Sequence, residues 1–322
     1  MYSLDYDISF KHNGNKFQLQ LLYAVEIESD VTVLSDTAKI ILPEAVLNKV
    51  LNINDRIGRG AEVLIKLGYD QNFKTEFVGF IRDITTNNSA LVIECEDALF
   101  LFRKSVKDEV LVNTNISEIC QSLIDQVDPS YALVCDYDIG YEKFTIHRAE
   151  AYDVLKKLQS ETKANIYFNT EEKELHVHFP FAEKGGEVKY SFDRNIESSS
   201  LEYKKAIDRK IEITVEKINK KGEITTVTSG TPGGEKFNIK VGEMKASDIQ
   251  KIADAELIKR SADKYEGDFT GWLIPFIKPN YSVTILDPDY PYKDGRYYAS
   301  AVSTSFSSGG GVRKIKPSIK LG

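Results

Sequence analysis

The sequence predicts a mainly β protein with an α+β block in its middle, and three observations lead there. Short alternating apolar runs rich in Ile, Val, Thr, Tyr and Phe fill both ends of the 322-residue chain, which holds 17 Tyr and 16 Phe against 2 Met; branched and aromatic side chains of this kind pack well on a pleated surface. Gly, Asn, Asp and Ser interrupt those runs at hairpin spacing. Helical periodicity is concentrated in stretches beginning near 115, 151 and 247. With 42% hydrophobic and 28% charged residues, a packed core is feasible, and the length suits two or three domains.

Residues 1–104 read as strands. Phe17–Tyr23 and Ala38–Leu42 are short β runs, and Pro43–Leu51 reads as a short helix or turn with Pro at its first position. Ala61–Tyr69, Phe77–Ile84 and Ala90–Asp97 follow, with a turn from Thr86 to Ser89 between the last two. That meander is expected to curl into a barrel or small sandwich. In 105–190 the character changes. Apolar residues at 116, 119, 120, 123, 124 and 127 share one helical face, and Thr114 and Asn115 are candidate N-caps. Ala151, Val154, Leu155 and Leu158 mark a second helix, and Asn165–Asn169 and Leu175–Phe179 a hairpin around Thr170–Lys173. In 191–322 strands return. Lys210–Ile218 and Glu223–Thr228 flank the turn Asn219–Gly222, and a loop follows at 229–234. A helix near 247–265, capped by Ser247, presents Ile249, Ile252, Ala253 and Leu257. Tyr281–Leu286, Arg296–Val302 and Val312–Lys316 close the chain, with Gly309–Gly311 as a flexible hairpin tip.

The net charge of −7 disfavours duplex-DNA wrapping, which needs a basic face to displace counterions. Cys95, Cys120 and Cys135 are spaced 25 and 15 apart, match no zinc or redox motif, and read as free thiols of a reducing cytoplasm. The acidic N-terminus lacks the basic-then-apolar pattern of a cleaved signal, and no apolar run approaches the ~18 residues of a membrane span.

Candidate chemistry is sparse. His176 and His178 stand two apart on a predicted strand and share a face, where a third ligand would make a metal site; the reading adopted is an exposed strand face rimmed by Glu171, Glu172 and Glu174. His12 reads as a solvated turn residue and His147 as a structural strand residue. Asp287 and Asp289 lack the spacing of a calcium loop, and Pro288 and Pro291 make that stretch a rigid turn. Phosphate-cradling, nucleophile-elbow and zinc-protease motifs are absent from the sequence. The expectation is therefore no enzyme, no catalytic, cofactor-binding or metal site, and no cofactor.

Four segments, in order, resemble the phage late control gene D family, the baseplate hub proteins of contractile tails, and the N-terminal hub part of VgrG proteins. They are Gly60–Tyr69 followed by Phe77–Ile84, with their Gly-Tyr and Phe-x-Gly-x-Ile signatures; Ile93–Lys104; Thr114–Val127 with Ala151–Phe168; and the C-terminal order from helix 247–265 through Gly295–Val302 to Ile319–Gly322. No segment up to Gly322 is expected to form the needle of VgrG, and neither 229–236 nor 287–294 matches a family signature. The first and last blocks also echo each other in the order of strands and turns.

That resemblance implies two related antiparallel β-barrel domains, 1–104 and 191–322, flanking an α+β domain at 105–190. It further implies a structural hub: a homotrimer whose six similar barrels match a hexameric tail tube on one side and a trimeric spike on the other. Expected partners are the chain itself, the tail tube protein, the central spike protein and other baseplate proteins, with DNA only in passage through a central channel and no stable membrane association. The expected setting is a virion tail baseplate or injection particle assembled in the bacterial cytoplasm. The hub part of a type VI secretion-like spike, and a carbohydrate-active or receptor-binding β protein, are the alternatives.

Overall fold

In the computed structural model, residues 2–43, 57–86, 90–182, 184–206, 210–218 and 222–321 are described. Of the helix or turn expected at Pro43–Leu51, Pro43 ends a strand instead of opening a helix, and 44–51 lie outside the described residues, as do the turn residues 87–89 and 219–221. The protein is mainly β with antiparallel sheets, as expected.

The strands run in chain order as β1 (Leu4–His12), β2 (Asn15–Gln18), β3 (Ala24–Asp30), β4 (Thr37–Pro43), β5 (Glu62–Tyr69), β6 (Asn72–Thr86) and β7 (Ala90–Glu96). Next come β8 (Glu109–Asn115), helix α1 (Ile116–Val127), β9 (Ala132–Cys135), β10 (Gly140–Ile146), helix α2 (Ala151–Thr162), β11 (Asn165–Asn169) and β12 (Glu174–His178). Then follow β13 (Glu187–Ser191), β14 (Ser198–Ser199), β15 (Glu202–Lys204), β16 (Ile211–Ile218), β17 (Ile224–Gly230) and β18 (Glu235–Val241). Helix α3 (Ala246–Ser261), β19 (Lys264–Glu266), β20 (Phe269–Trp272), β21 (Ser282–Leu286), β22 (Gly295–Ser307) and β23 (Gly310–Lys320) complete the chain.

Two compact units emerge, each assembled from separated segments. The first comprises Met1–Phe100, Glu183–Leu201 and Gly267–Pro317; the second comprises Leu101–Ala182, Glu202–Glu266 and Ser318–Gly322.

The first unit is built on one continuous sheet path, β14-β20-β23-β22-β3-β4-β7-β6-β5-β1-β2. Its core follows from strict alternation. Ile8 and Phe10 of β1, Ala38, Ile40 and Leu42 of β4, Val63, Ile65 and Leu67 of β5, and Leu91, Ile93 and Cys95 of β7 all turn inward, because successive side chains in a strand face opposite ways. The 15-residue β6 serves two neighbours: Asn72–Phe80 pairs with β5, Phe80–Thr86 pairs with β7, and register shifts at Ile65/Lys66 and Ile81/Asp83 bend it. The glycines of the two N-terminal signatures have steric reasons. A Cβ on Gly79 would stand 2.3 Å from the Glu96 carbonyl and 2.6 Å from the Phe77 ring, and one on Gly68 would stand 2.2 Å from the Asn72 carbonyl.

The two β-rich ends of the chain meet inside this unit. The second half of β22 pairs antiparallel with β3, from Ala301↔Asp30 to Ser307↔Ala24, and Phe306 enters the same core as Val25 and Ile27. β22 is far longer than the expected 296–302, since it pairs first with β21 and then with β3. The glycine tip closes tightly between β22 and β23 at Ser308–Gly309.

In the second unit, β11-β12-β9 form a three-stranded sheet whose inner residues Ile166, Phe168, Leu175 and Val177 are buried, as are Ile119, Leu123, Leu155 and Leu158 of α1 and α2. Asn115 caps α1: its side-chain oxygen accepts the Glu118 N–H at 2.8 Å. A separate sheet, β17-β16-β18, packs its Ile211, Ile213 and Val215 face on α3. The expected 210–228 hairpin is β16 and β17, but β18 adds an unforeseen strand parallel to β16. The expected helix 247–265 is shorter, and its cap is not Ser247. The first turn is anchored instead by Lys245 N–H to the Gly140 carbonyl (2.9 Å) and Gly140 N–H to Asp248 Oδ2 (2.9 Å), while Lys264–Glu266 leave the helix to pair with β15.

Candidate functional site

Each candidate residue of the sequence has a definite place. His12 ends β1, just before the Asn13–Gly14 turn into β2. His147 follows β10, and its Nδ1 lies 2.7 Å from Asp108 Oδ2, with Arg148 N–H donating to the other Asp108 oxygen. That hydrogen bonding holds the Asp108 carboxyl below its ordinary pKa, with the Arg148 N–H the largest cause. Asp287 organises its turn: its Oδ1 accepts the Tyr290 N–H, its Oδ2 meets Lys293 Nζ at 3.5 Å, and its own N–H donates to Asp294 Oδ1 at 2.7 Å. These contacts make 287–294 a hydrogen-bonded turn. Cys95 and Cys120 are buried free thiols and Cys135 is partly covered; burial pushes all three above the ordinary thiol pKa and away from nucleophilic use.

His176 and His178 do share a face of β12, but that face is not exposed. His178 is 2% exposed. The expectation of a solvated strand face fails because Tyr167 of β11 stacks on His176 at 4.7 Å and Asp136, just beyond β9, closes on His178 at 2.7 Å.

The first unit carries a shallow, half-open depression of about 470 Å³, lined by Lys189, Tyr190, Ser191, Asp193, Arg194 and Asn195 with Leu286, Pro288 and Asp294. Its carboxylates are committed within the fold: Asp193 accepts the Ser191 hydroxyl, and Asp294 accepts the Asp287 N–H. Tyr190 is fully buried and offers no stacking platform.

Charge burial is concentrated instead in a clamp between distant strands of the same unit. Arg313 of β23 meets Glu76 of β6 in a bidentate pair, 2.8 and 3.0 Å, and also donates to the carbonyls of Leu273 and Ile277 and to Thr304 Oγ1. Both side chains are buried. A planar guanidinium suits such a fork, and the extra acceptors offset the cost of removing it from water.

The surface supplies broad, partly apolar features. Val110 and Val112 of the edge strand β8 are 56% and 65% exposed, and Trp272, Tyr290 and Tyr292 stand out of the first unit. Among the described residues no helix is long and apolar enough to cross a membrane.

No family model and no curated protein matches the chain. Among solved structures the likeness runs end to end. A tail protein from Neisseria meningitidis MC58 superposes with a TM-score of 0.68 at 14% identity, covering 98% of this chain and 96% of that one. The 43 kDa tail protein of prophage MuSo2 from Shewanella oneidensis gives 0.62 at 14% identity, over 97% and 96%. The E. coli protein c3393, described as a type VI secretion component with structural similarity to the T4 tail proteins gp27 and gp5, gives 0.62 at 9% identity, over 98% and 77%. The architecture is therefore a phage-type tail-protein fold. Within that class the chain shares its fold with tail proteins, one of them from a prophage, and with a protein described as a secretion component.

Proposed function

We propose that this chain is a structural baseplate hub of a contractile phage or phage-like tail. One observation supports the reading above the others: tail proteins share the fold over nearly the full length of both chains. In this reading the protein performs no covalent chemistry, and its work is binding energy spread over subunit interfaces. Three copies surround an axis, the strand-rich segments 1–104 and 191–322 act as two similar halves about the α+β segment 105–190, and six such halves meet a hexameric tube while the threefold axis meets a trimeric spike. Closed homo-oligomeric symmetry of this kind is common. The net charge of −7, tripled in the assembly, suits a channel that DNA traverses without sticking. Partners are a second and third copy, the tube protein, the spike protein and neighbouring baseplate proteins, in a particle assembled in the bacterial cytoplasm.

The secretion reading has one observation in its favour, the likeness to c3393, and differs in setting rather than in chemistry. The test is the mass of the purified chain by light scattering, alone and after co-expression with its tube and spike neighbours, with particle images by electron microscopy. An annular particle of three chain masses is the expected result. A species that stays monomeric in both preparations overturns the proposal.

A further inference from the structure

Four side chains of the second unit form an unbroken hydrogen-bonded row: Glu174 Oε2 to His176 Nε2 (2.9 Å), His176 Nδ1 to His178 Nε2 (3.0 Å), and His178 Nδ1 to Asp136 Oδ1 (2.7 Å). Each contact needs one proton between its heavy atoms, so the row needs three. Two neutral imidazoles bring two. With only those, one contact sets two nitrogen lone pairs together or a lone pair against a carboxylate oxygen. We propose that the His176–His178 pair is a one-proton site, holding a single imidazolium charge shared between the two rings and flanked by two carboxylates.

A metal ion does not fit the same geometry. His176 Nδ1 and His178 Nε2 are the only two nitrogens that converge, since the outer nitrogen of each ring is directed to its own carboxylate; a structural zinc takes four ligands. The extra proton resides on imidazole, because a ring is about two pKa units more basic than a carboxylic acid. On the strands around the pair, β11 contributes Asn165, Tyr167 and Asn169 to this face, opposite His178, His176 and Glu174. β9 contributes Ala132 and Val134 and leads into Asp136. Glu174 and Asp136 are the charged groups in contact, and Tyr167 is the further titratable one, with burial holding its hydroxyl neutral by pushing its pKa up to about 12.

A second proton is resisted. Burial, ahead of the opposing Glu174 hydrogen bond and joined by repulsion from His178, lowers the His176 pKa below its ordinary value. A pair that keeps one proton throughout holds more protons than two unfolded histidines above about pH 6.5, so stability falls as pH rises there; below that pH it holds fewer, and stability falls as pH drops. The device joins β12 to the end of β9, and its strength peaks between the two limits. It is independent of the tail-hub reading.

The experiment uses ring-nitrogen NMR of the full chain labelled at histidine, which has four such residues, with His12→Asn and His147→Asn variants assigning the other two. The expected result is one imidazolium per pair across about pH 5.5–7.5, and a Glu174→Gln variant in which the pair loses its proton at lower pH than in the parent. In a second measurement, the melting-temperature difference between parent and His176→Asn should peak near pH 6.5 and shrink on both sides. Two neutral rings at pH 6.5 in the parent, or a difference that is flat or rises steadily with pH, overturns the proposal. The parent NMR decides the matter even if His176→Asn does not fold.

Discussion

At the residue scale, two buried charge arrangements make opposite demands on the first unit. The Arg313–Glu76 pair joins positions 237 residues apart. Breaking one side leaves the other charge buried and unpaired, a cost of about 3–5 kcal/mol, whereas replacing both with apolar groups of similar volume removes that cost. Arg313→Met is therefore expected to lower unfolding free energy by about that amount, and Arg313→Met with Glu76→Leu to recover most of it, as read by urea denaturation. Asp36 and Asp97 show the converse. The Asp36 N–H donates to Asp97 Oδ2 and the Leu99 N–H to Asp97 Oδ1. Burial, opposed by Ser29, raises the half-buried Asp36 carboxyl to about 6, and burial with the Asp36 charge raises that of Asp97. An acid whose folded pKa is raised binds a proton that the unfolded chain has already released. Its stabilising contribution is full below about pH 4 and is lost as pH rises through 6. Asp36→Asn is expected to flatten the decline in stability between about pH 4.5 and 7, by on the order of 1 kcal/mol, measured by denaturant titration at both pH values.

At the element scale, alternation decided most of what could be read. β4, β5, β7, β11 and β12 fall where period-two patterning put them, and α1 and α2 where 3.6-residue patterning did, with Asn115 as the cap. One strand that escaped shows how a neighbour can override composition. β18 reads as mostly polar, with exposed Glu235, Lys236, Asn238 and Lys240, and exists because β16 offers its parallel edge. α3 ends at Ser261 because Tyr265 is claimed by the β15 pairing. β6 carries a sharper lesson. Phe77 and Ile81 are 3% and 0% exposed inside the unit's own core, so this strand is a fold element before it is an assembly surface. Ile81→Asp is expected to destroy the folded first unit itself, since an unpaired buried carboxylate costs several kcal/mol. Loss of native near-ultraviolet circular dichroism would register this, and a folded variant that merely failed to assemble would refute it.

At the scale of the whole molecule, the tail-hub proposal depends on distant parts of one chain cooperating. The β22–β3 ladder makes the C-terminal strands neighbours of the N-terminal ones across some 275 residues, with Ser303 donating to Glu28 beside it. Light scattering on the trimer proposed above tests this scale directly, because an annulus requires both β-rich ends of each chain to be folded. Of the candidate chemistry, the sequence placed His176 and His178 on one face, but their burial and their link to Asp136 depend on a β9–β12 pairing about 42 residues apart. The same limit hid Glu76 and Arg313: neither belongs to a motif, and only the pairing of their strands into one core makes them partners.

By itself, then, the amino-acid order determined the mainly β class, the helical faces at 116–127 and 151–158, the alternating core of the N-terminal meander and the resemblance to tail hubs, because each is carried by residues within a turn or a strand of one another. The tertiary structure alone decided which strands are neighbours, which charges are buried together and how two histidines come to need a third proton. Those outcomes depend on hydrogen-bond ladders and desolvation between segments that only folding brings into contact.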